Sequence, residues 1–153
     1  VGKISEALQR LIEALEKANC EYVVVGGLVA ISYGRNRITQ DIDVIVDTDE
    51  VELLVSALKD KGFEFSEREL LDAFKDRKQS HVFLLGNSFF HVDLKFAKDE
   101  LDYKVLNGRV RGELLGIPCW IESVEDIIVA KLIYGSSQGE EDVIAILLNH
   151  GDE

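Results

Sequence analysis

The 153-residue chain has few thiols, little positive charge and no long apolar run. Its two cysteines, Cys20 and Cys119, stand far apart, each beside a predicted strand in apolar surroundings. No CxxC pair or Cys/His cluster occurs, which argues against zinc and leaves two buried free thiols as the simplest reading. A disulfide is not expected of a cytosolic chain. Basic residues number 17 against 29 acidic ones, for a net charge of −12. A chain so acidic has little surface with which to displace the counterions of a long nucleic acid, so a long duplex is not an expected partner. No apolar stretch approaches the ~20 residues that span a bilayer. The segment from Val1 to Asn19 carries Lys3, Glu6, Arg10, Glu13, Glu16 and Lys17 and lacks a signal-peptide core, so a cytoplasmic location is expected. There is no internal repeat, linker or low-complexity segment.

Hydrophobic residues make up 46% and charged residues 30%, the balance of a globular chain, and the length suits one domain over residues 1–153. Ile4, Ala7, Leu8, Leu11, Ile12 and Leu15 recur at helical spacing, which predicts an amphipathic helix over 3–18. The unbroken apolar run Tyr22–Val25 predicts a strand buried on both faces. Two glycines, Gly26 and Gly27, follow it, then a short helix over Leu28–Tyr33. A loop with Arg35 and Arg37 leads to a second strand, Asp41–Val46. A helix over Asp49–Lys61 closes at Gly62, a short strand is expected over Phe63–Phe65, and a helical turn over Leu70–Phe74. Ser80–Leu85 and Phe89–Phe96 read as a hairpin around Gly86-Asn87-Ser88. A helix over Leu101–Leu106, strands over Arg109–Leu115 and Pro118–Ile121, a helix capped by Ser123 and a last helix over Glu140–Asn149 complete the order. Strand and helix do not alternate strictly, so the class is α+β, with a mixed sheet flanked by helices rather than a Rossmann domain.

The chemistry concentrates on the second strand. Side chains alternate along a strand, so Asp41 and Asp43 point to one face with Cα atoms roughly 6.6 Å apart, while Ile42 and Val44 point to the other. A third acid, Asp93, lies in His91-Val92-Asp93-Leu94-Lys95 with the same alternation. If that strand pairs beside the first, ~4.8 Å away, Asp93 completes a nest of three carboxylates. Such a nest suits two Mg²⁺ ions ~3.5–4 Å apart, the arrangement that clamps attacking and leaving oxygens in phosphoryl or nucleotidyl transfer. Like charges gathered without a cation would repel. Two glycines ahead of a helix let backbone N–H groups approach a triphosphate. His91 reads as a hydrogen-bonding neighbour of these acids, and His81 and His150 carry no signal. Lys131 by itself reads as a surface lysine, and Asp142 belongs to an acidic run at a helix start.

Gly26-Gly27, then Asp41-Ile42-Asp43, then a lone Asp93 on a later strand, resembles the DNA-polymerase-β-like nucleotidyltransferase superfamily. The longer pattern through Ala30, Tyr33, Gly34, Arg37, Thr39 and on to Val44 is similar to its small prokaryotic branch, the AbiEii-like and minimal nucleotidyltransferases. The resemblance spans roughly residues 20–149. It implies a core over about 20–121 and closing helices over about 122–149. It also implies Mg²⁺-dependent transfer of a nucleoside monophosphate from an NTP, ATP first among them, to a small-molecule, protein or RNA hydroxyl. In that reading Asp41, Asp43 and Asp93 ligate metal, and Asp93 also takes the acceptor's proton. Gly26 and Gly27 hold phosphates, Arg37 and Thr39 orient the loop or touch phosphate, Lys131 contacts the nucleotide, and Asp142 fixes Lys131. The pattern departs at Gly27, where many members carry a serine hydroxyl, and at Gln138, where a basic residue sometimes stands. Those departures favour the alternative of a weak or inactive nucleotide-binding or protein-interaction module, such as a toxin–antitoxin component. For an active enzyme the resemblance implies a helical HEPN-type protein as a partner, which nucleotidyl transfer disarms.

Overall fold

The computed structural model describes residues 2–34, 41–84 and 87–133. Thirteen elements run in the order α1 (Gly2–Lys17), β1 (Glu21–Val25), α2 (Gly27–Ser32), β2 (Asp41–Asp47), α3 (Val51–Asp60), β3 (Phe63–Glu64), α4 (Glu67–Asp76), β4 (Gln79–Leu84), β5 (Asn87–Phe96), α5 (Glu100–Asn107), β6 (Val110–Leu114), β7 (Ile117–Ile121) and α6 (Val124–Ile133). The strands form one mixed sheet in the order β3-β4-β5-β2-β1-β7-β6. β1 pairs with β2 antiparallel and with β7 parallel, and β2 pairs with β5 parallel. β4–β5 and β6–β7 are antiparallel hairpins. The mixed α+β class expected from the sequence is the one observed.

The period-two pattern of the strands divides the molecule into two layers. Ile42, Val44 and Val46 of β2, with Val92, Leu94 and Phe96 of β5, face the main core, where the apolar stripe of α1 and residues of α3 and α4 cover them. Val23 and Ile45 face the other way, onto a smaller cluster with Val105 and Leu106 of α5. Asp41 and Asp43 share the parity of Ile45, so they stand on this second, thinner face.

α4 is longer than its apolar residues alone predict. The Ser66 hydroxyl accepts a hydrogen bond from the Glu69 amide at 3.2 Å, which starts the helix a full turn earlier, and Leu70 and Ala73 anchor it in the core. The hairpin pairs as expected, with a register irregularity at Phe83/Leu84, and its second strand begins at Asn87, inside the expected turn. α5 is held by a capping box in which the Asp99 carboxylate accepts from the Asp102 amide at 2.9 Å. Asp102, buried, also accepts from the Lys98 amide at 3.0 Å and from Lys95 Nζ at 2.9 Å. These bonds meet the demand of a buried carboxylate and tie the end of β5 to α5.

Both cysteines are buried and free, as the sequence predicts. Burial pushes each thiol up to about 11. In the unfolded chain they would ionise near ~8.5, so between about pH 9 and 11 the unfolded state sheds protons that the native state keeps. The stability supplied by the two protonated thiols is therefore present below that window and is lost as pH rises through it. Urea unfolding at pH 8 and pH 10 should show the drop, and Cys20→Ala/Cys119→Ala should flatten it. An equal drop in the double variant would exclude the thiols as its source.

Candidate active site

β2 and β5 run parallel in the register Asp41↔His91, Ile42↔Val92 and Asp43↔Asp93. The burial of alternate residues fixes this register, because a slip by one would drive Ile42, Val44, Val92 and Leu94 out of the core. Asp43 and Asp93 therefore stand side by side on the thin face, with Asp41 and His91 as the pair before them. His91 sits between two of the acids. Its Nε2 is 3.1 Å from Asp41 Oδ1 and 3.6 Å from Asp93 Oδ1. Asp93 is only 16% exposed, and His81 Nδ1, across the hairpin from it, makes a short contact with its Oδ1.

The glycine pair meets these acids directly. Gly26, at the end of β1, has φ +80°, a conformation that excludes most side chains, and a Cβ built there would lie 3.1 Å from Cγ and 3.2 Å from Cβ of Asp43, with Oδ2 closer still. Backbone and carboxylate thus close on each other with no room for a methyl group. Gly27 opens α2 and is buried. At the far end of α2 the Tyr33 hydroxyl donates to the Glu122 carbonyl at 3.0 Å, which ties the motif's tyrosine to the turn before α6. Burial, then the charges of Glu125 and Glu122, push the Tyr33 phenol above its ordinary range.

Among the described residues, one group of three donors lies entirely within 4.8 Å of one another, that of His81, His91 and Asp93. His91 is the hydrogen-bonding neighbour that the sequence predicts. His81 is the residue that sequence reasoning missed, although a signal existed: pairing the hairpin symmetrically about Asn87 sets His81 opposite Asp93. Lys95, next on that strand face, turns to Asp102 and not to the acids. Lys131 lies in α6. Arg37, Thr39 and Asp142 fall outside the described residues, as does the last expected helix.

No curated protein matches the sequence. Among solved structures, ANT(2″)-Ia in complex with adenylyl-2″-tobramycin superposes with a TM-score of 0.63 at 16% identity, over 97% of this chain and 89% of that one. The lincomycin-bound lincosamide antibiotic adenylyltransferase LnuA gives 0.60 at 13% identity, over 93% and 94%. An antigenic nucleotidyltransferase-like protein from Paracoccidioides brasiliensis gives 0.57 at 18%, over 93% and 74%. At such identities the likeness is one of fold, and the fold is that of nucleotidyltransferases. A family model described as "Nucleotidyltransferase of unknown function (DUF6036)" matches residues 2–150. With the glycine pair, the paired acids and the fold agreeing, the chain belongs to that nucleotidyltransferase family.

Proposed function

We propose that this nucleotidyltransferase moves a nucleoside monophosphate from an NTP, ATP first among the candidates, onto the hydroxyl of an acceptor. The observation that carries the reading is the in-register pairing of Asp43 with Asp93 beneath the Gly26 backbone. Asp41, Asp43 and Asp93 offer hard carboxylate oxygens from adjacent strands, a donor set that fits Mg²⁺. Bound between them, two Mg²⁺ ions would supply Lewis-acid stabilisation of the transferring phosphoryl group. Asp93, more enclosed than Asp41, is the group to receive the acceptor's proton. The acceptor oxygen bonds to the α-phosphorus, the bond from that phosphorus to the bridging oxygen breaks, and pyrophosphate leaves. Gly26 and Gly27 leave the backbone bare where the triphosphate approaches. Family resemblance adds Arg37, Thr39, Lys131 and Asp142 as nucleotide contacts.

The adenylyl-tobramycin and lincomycin complexes of the similar structures favour a small hydroxylated acceptor over a protein or RNA hydroxyl. A second reading, a catalytically weak or inactive nucleotide-binding or protein-interaction module such as a toxin–antitoxin component, is favoured by Gly27, which offers no hydroxyl to a phosphate.

Thermal unfolding with ATP and Mg²⁺ tests the site. Ligand at about 100 times Kd adds about 2.7 kcal/mol, or a rise in Tm of at least about 5 °C, and Asp41→Ala should abolish it. A rise that persists in Asp41→Ala would place the nucleotide elsewhere. Turnover of radiolabelled ATP on candidate hydroxyl acceptors then separates the enzyme from the binding module.

A further inference from the structure

We infer that His81, His91 and Asp93 form a binding site for a divalent first-row transition-metal cation of the kind that accepts imidazole, such as Zn²⁺, Co²⁺ or Ni²⁺. The inference rests on the transferase reading for what the cation does, but not for whether it binds. The three residues converge because of the backbone. His81 and Asp93 are directly opposed in the β4–β5 ladder, and His91 lies two residues before Asp93 on the same strand face. All three side chains therefore leave the sheet on one side. Their donor atoms lie within 4.8 Å of one another, and the two imidazole rings meet edge to face with centroids 5.8 Å apart.

The donor types select the cation. Mg²⁺ prefers oxygen throughout and keeps its waters, whereas two imidazole nitrogens and one carboxylate suit Zn²⁺ and its neighbours, which bind nitrogen more tightly. Access and enclosure are both provided. Asp93 is 16% exposed, while His81, at 58%, opens the cluster to solvent. The positive charge nearest along the strand, Lys95, is bonded to Asp102, so it does not neutralise Asp93. A cation entering here comes between His81 Nδ1 and Asp93 Oδ1, which now meet directly. Asp93 also pairs with Asp43, so the cation would stand at the edge of the proposed nucleotide site and set which metals support it.

The experiment titrates the full chain with Co²⁺ in the absence of nucleotide, followed by the visible d–d absorption of the bound ion, and repeats it with Mg²⁺ in competition. Stoichiometric Co²⁺ binding at least about tenfold tighter than Mg²⁺ is expected. His81→Gln, at an exposed position, should keep its Tm while weakening Co²⁺ by at least about tenfold and shifting the spectrum. His91→Gln provides the second variant. Unchanged Co²⁺ affinity and spectrum in both variants, or Mg²⁺ bound as tightly as Co²⁺, would overturn the inference. The outcomes separate from those for the transferase reading. A chain that binds Co²⁺ through the histidines but shows no thermal response to ATP and Mg²⁺ keeps this site and loses that reading. A chain with the thermal response and histidine-independent Co²⁺ does the reverse.

Discussion

Asp43→Asn is expected to lower nucleotidyl transfer by about a thousandfold or more while leaving the fold intact. The carboxylate that it removes is one of the two facing each other across the β2–β5 pair. Metal-assisted stabilisation of a transferring phosphoryl group is worth several kcal/mol, and each ~1.4 kcal/mol is a factor of ten in rate. Asparagine keeps the shape that packs against Gly26, so no cavity opens and no new crowding arises. Stability should hold or rise slightly, because like charges side by side on adjacent strands repel. Single-turnover transfer from labelled ATP, read beside the thermal midpoint, gives both numbers. Activity retained in Asp43→Asn would remove Asp43 from the metal set and with it the two-cation reading.

Gly26→Ala should cost more in stability than an ordinary surface substitution, about 2–4 kcal/mol, and should cut transfer as well. Holding an L-residue at φ +80° and ψ −155°, a region essentially reserved for glycine, costs about 1–3 kcal/mol by itself. The rest comes from the methyl group driven against the Asp43 carboxylate, whose Cγ and Cβ lie 3.1 and 3.2 Å from the position it would take. Gly116 supplies the internal control. It has nearly the same φ, +81°, yet nothing lies within 4 Å of the Cβ position, so Gly116→Ala carries the backbone strain alone. The difference between the two variants holds the crowding of Asp43 together with whatever extra strain ψ −155° imposes at Gly26. Adding Asp43→Ala to Gly26→Ala separates the two: it should recover most of the crowding, leaving only the Cβ of residue 43 at 3.2 Å from the new methyl. If Gly26→Ala and Gly116→Ala lose the same stability, the close approach of backbone and carboxylate is not part of the site.

Much of this was legible in the chain because it depends on short-range pattern. The apolar stripe of α1, the continuous burial of Tyr22–Val24 and the alternation of Asp41-Ile42-Asp43-Val44 each read directly as an element with a defined inner face. The Ser123 cap, whose hydroxyl accepts from the Asp126 amide at 3.2 Å, was equally readable, since a cap needs only its own next three residues. The Ser66 cap had the same signal, yet the short apolar stretch after it hid most of α4. His81 was hidden differently. Its meaning depends on the residue opposite, and an exposed histidine on an edge of a hairpin has no local signature of its own.

Which face Asp41 and Asp43 share, and which face His91 and Asp93 share, could be read from the chain alone, because a period of two is written into each strand separately. That β5 lies beside β2, parallel and in register, so that Asp43 meets Asp93 and His81 stands opposite Asp93, follows only from the folded sheet. That pairing joins segments about fifty residues apart, and what selects it is the shared burial of their alternate side chains against one core.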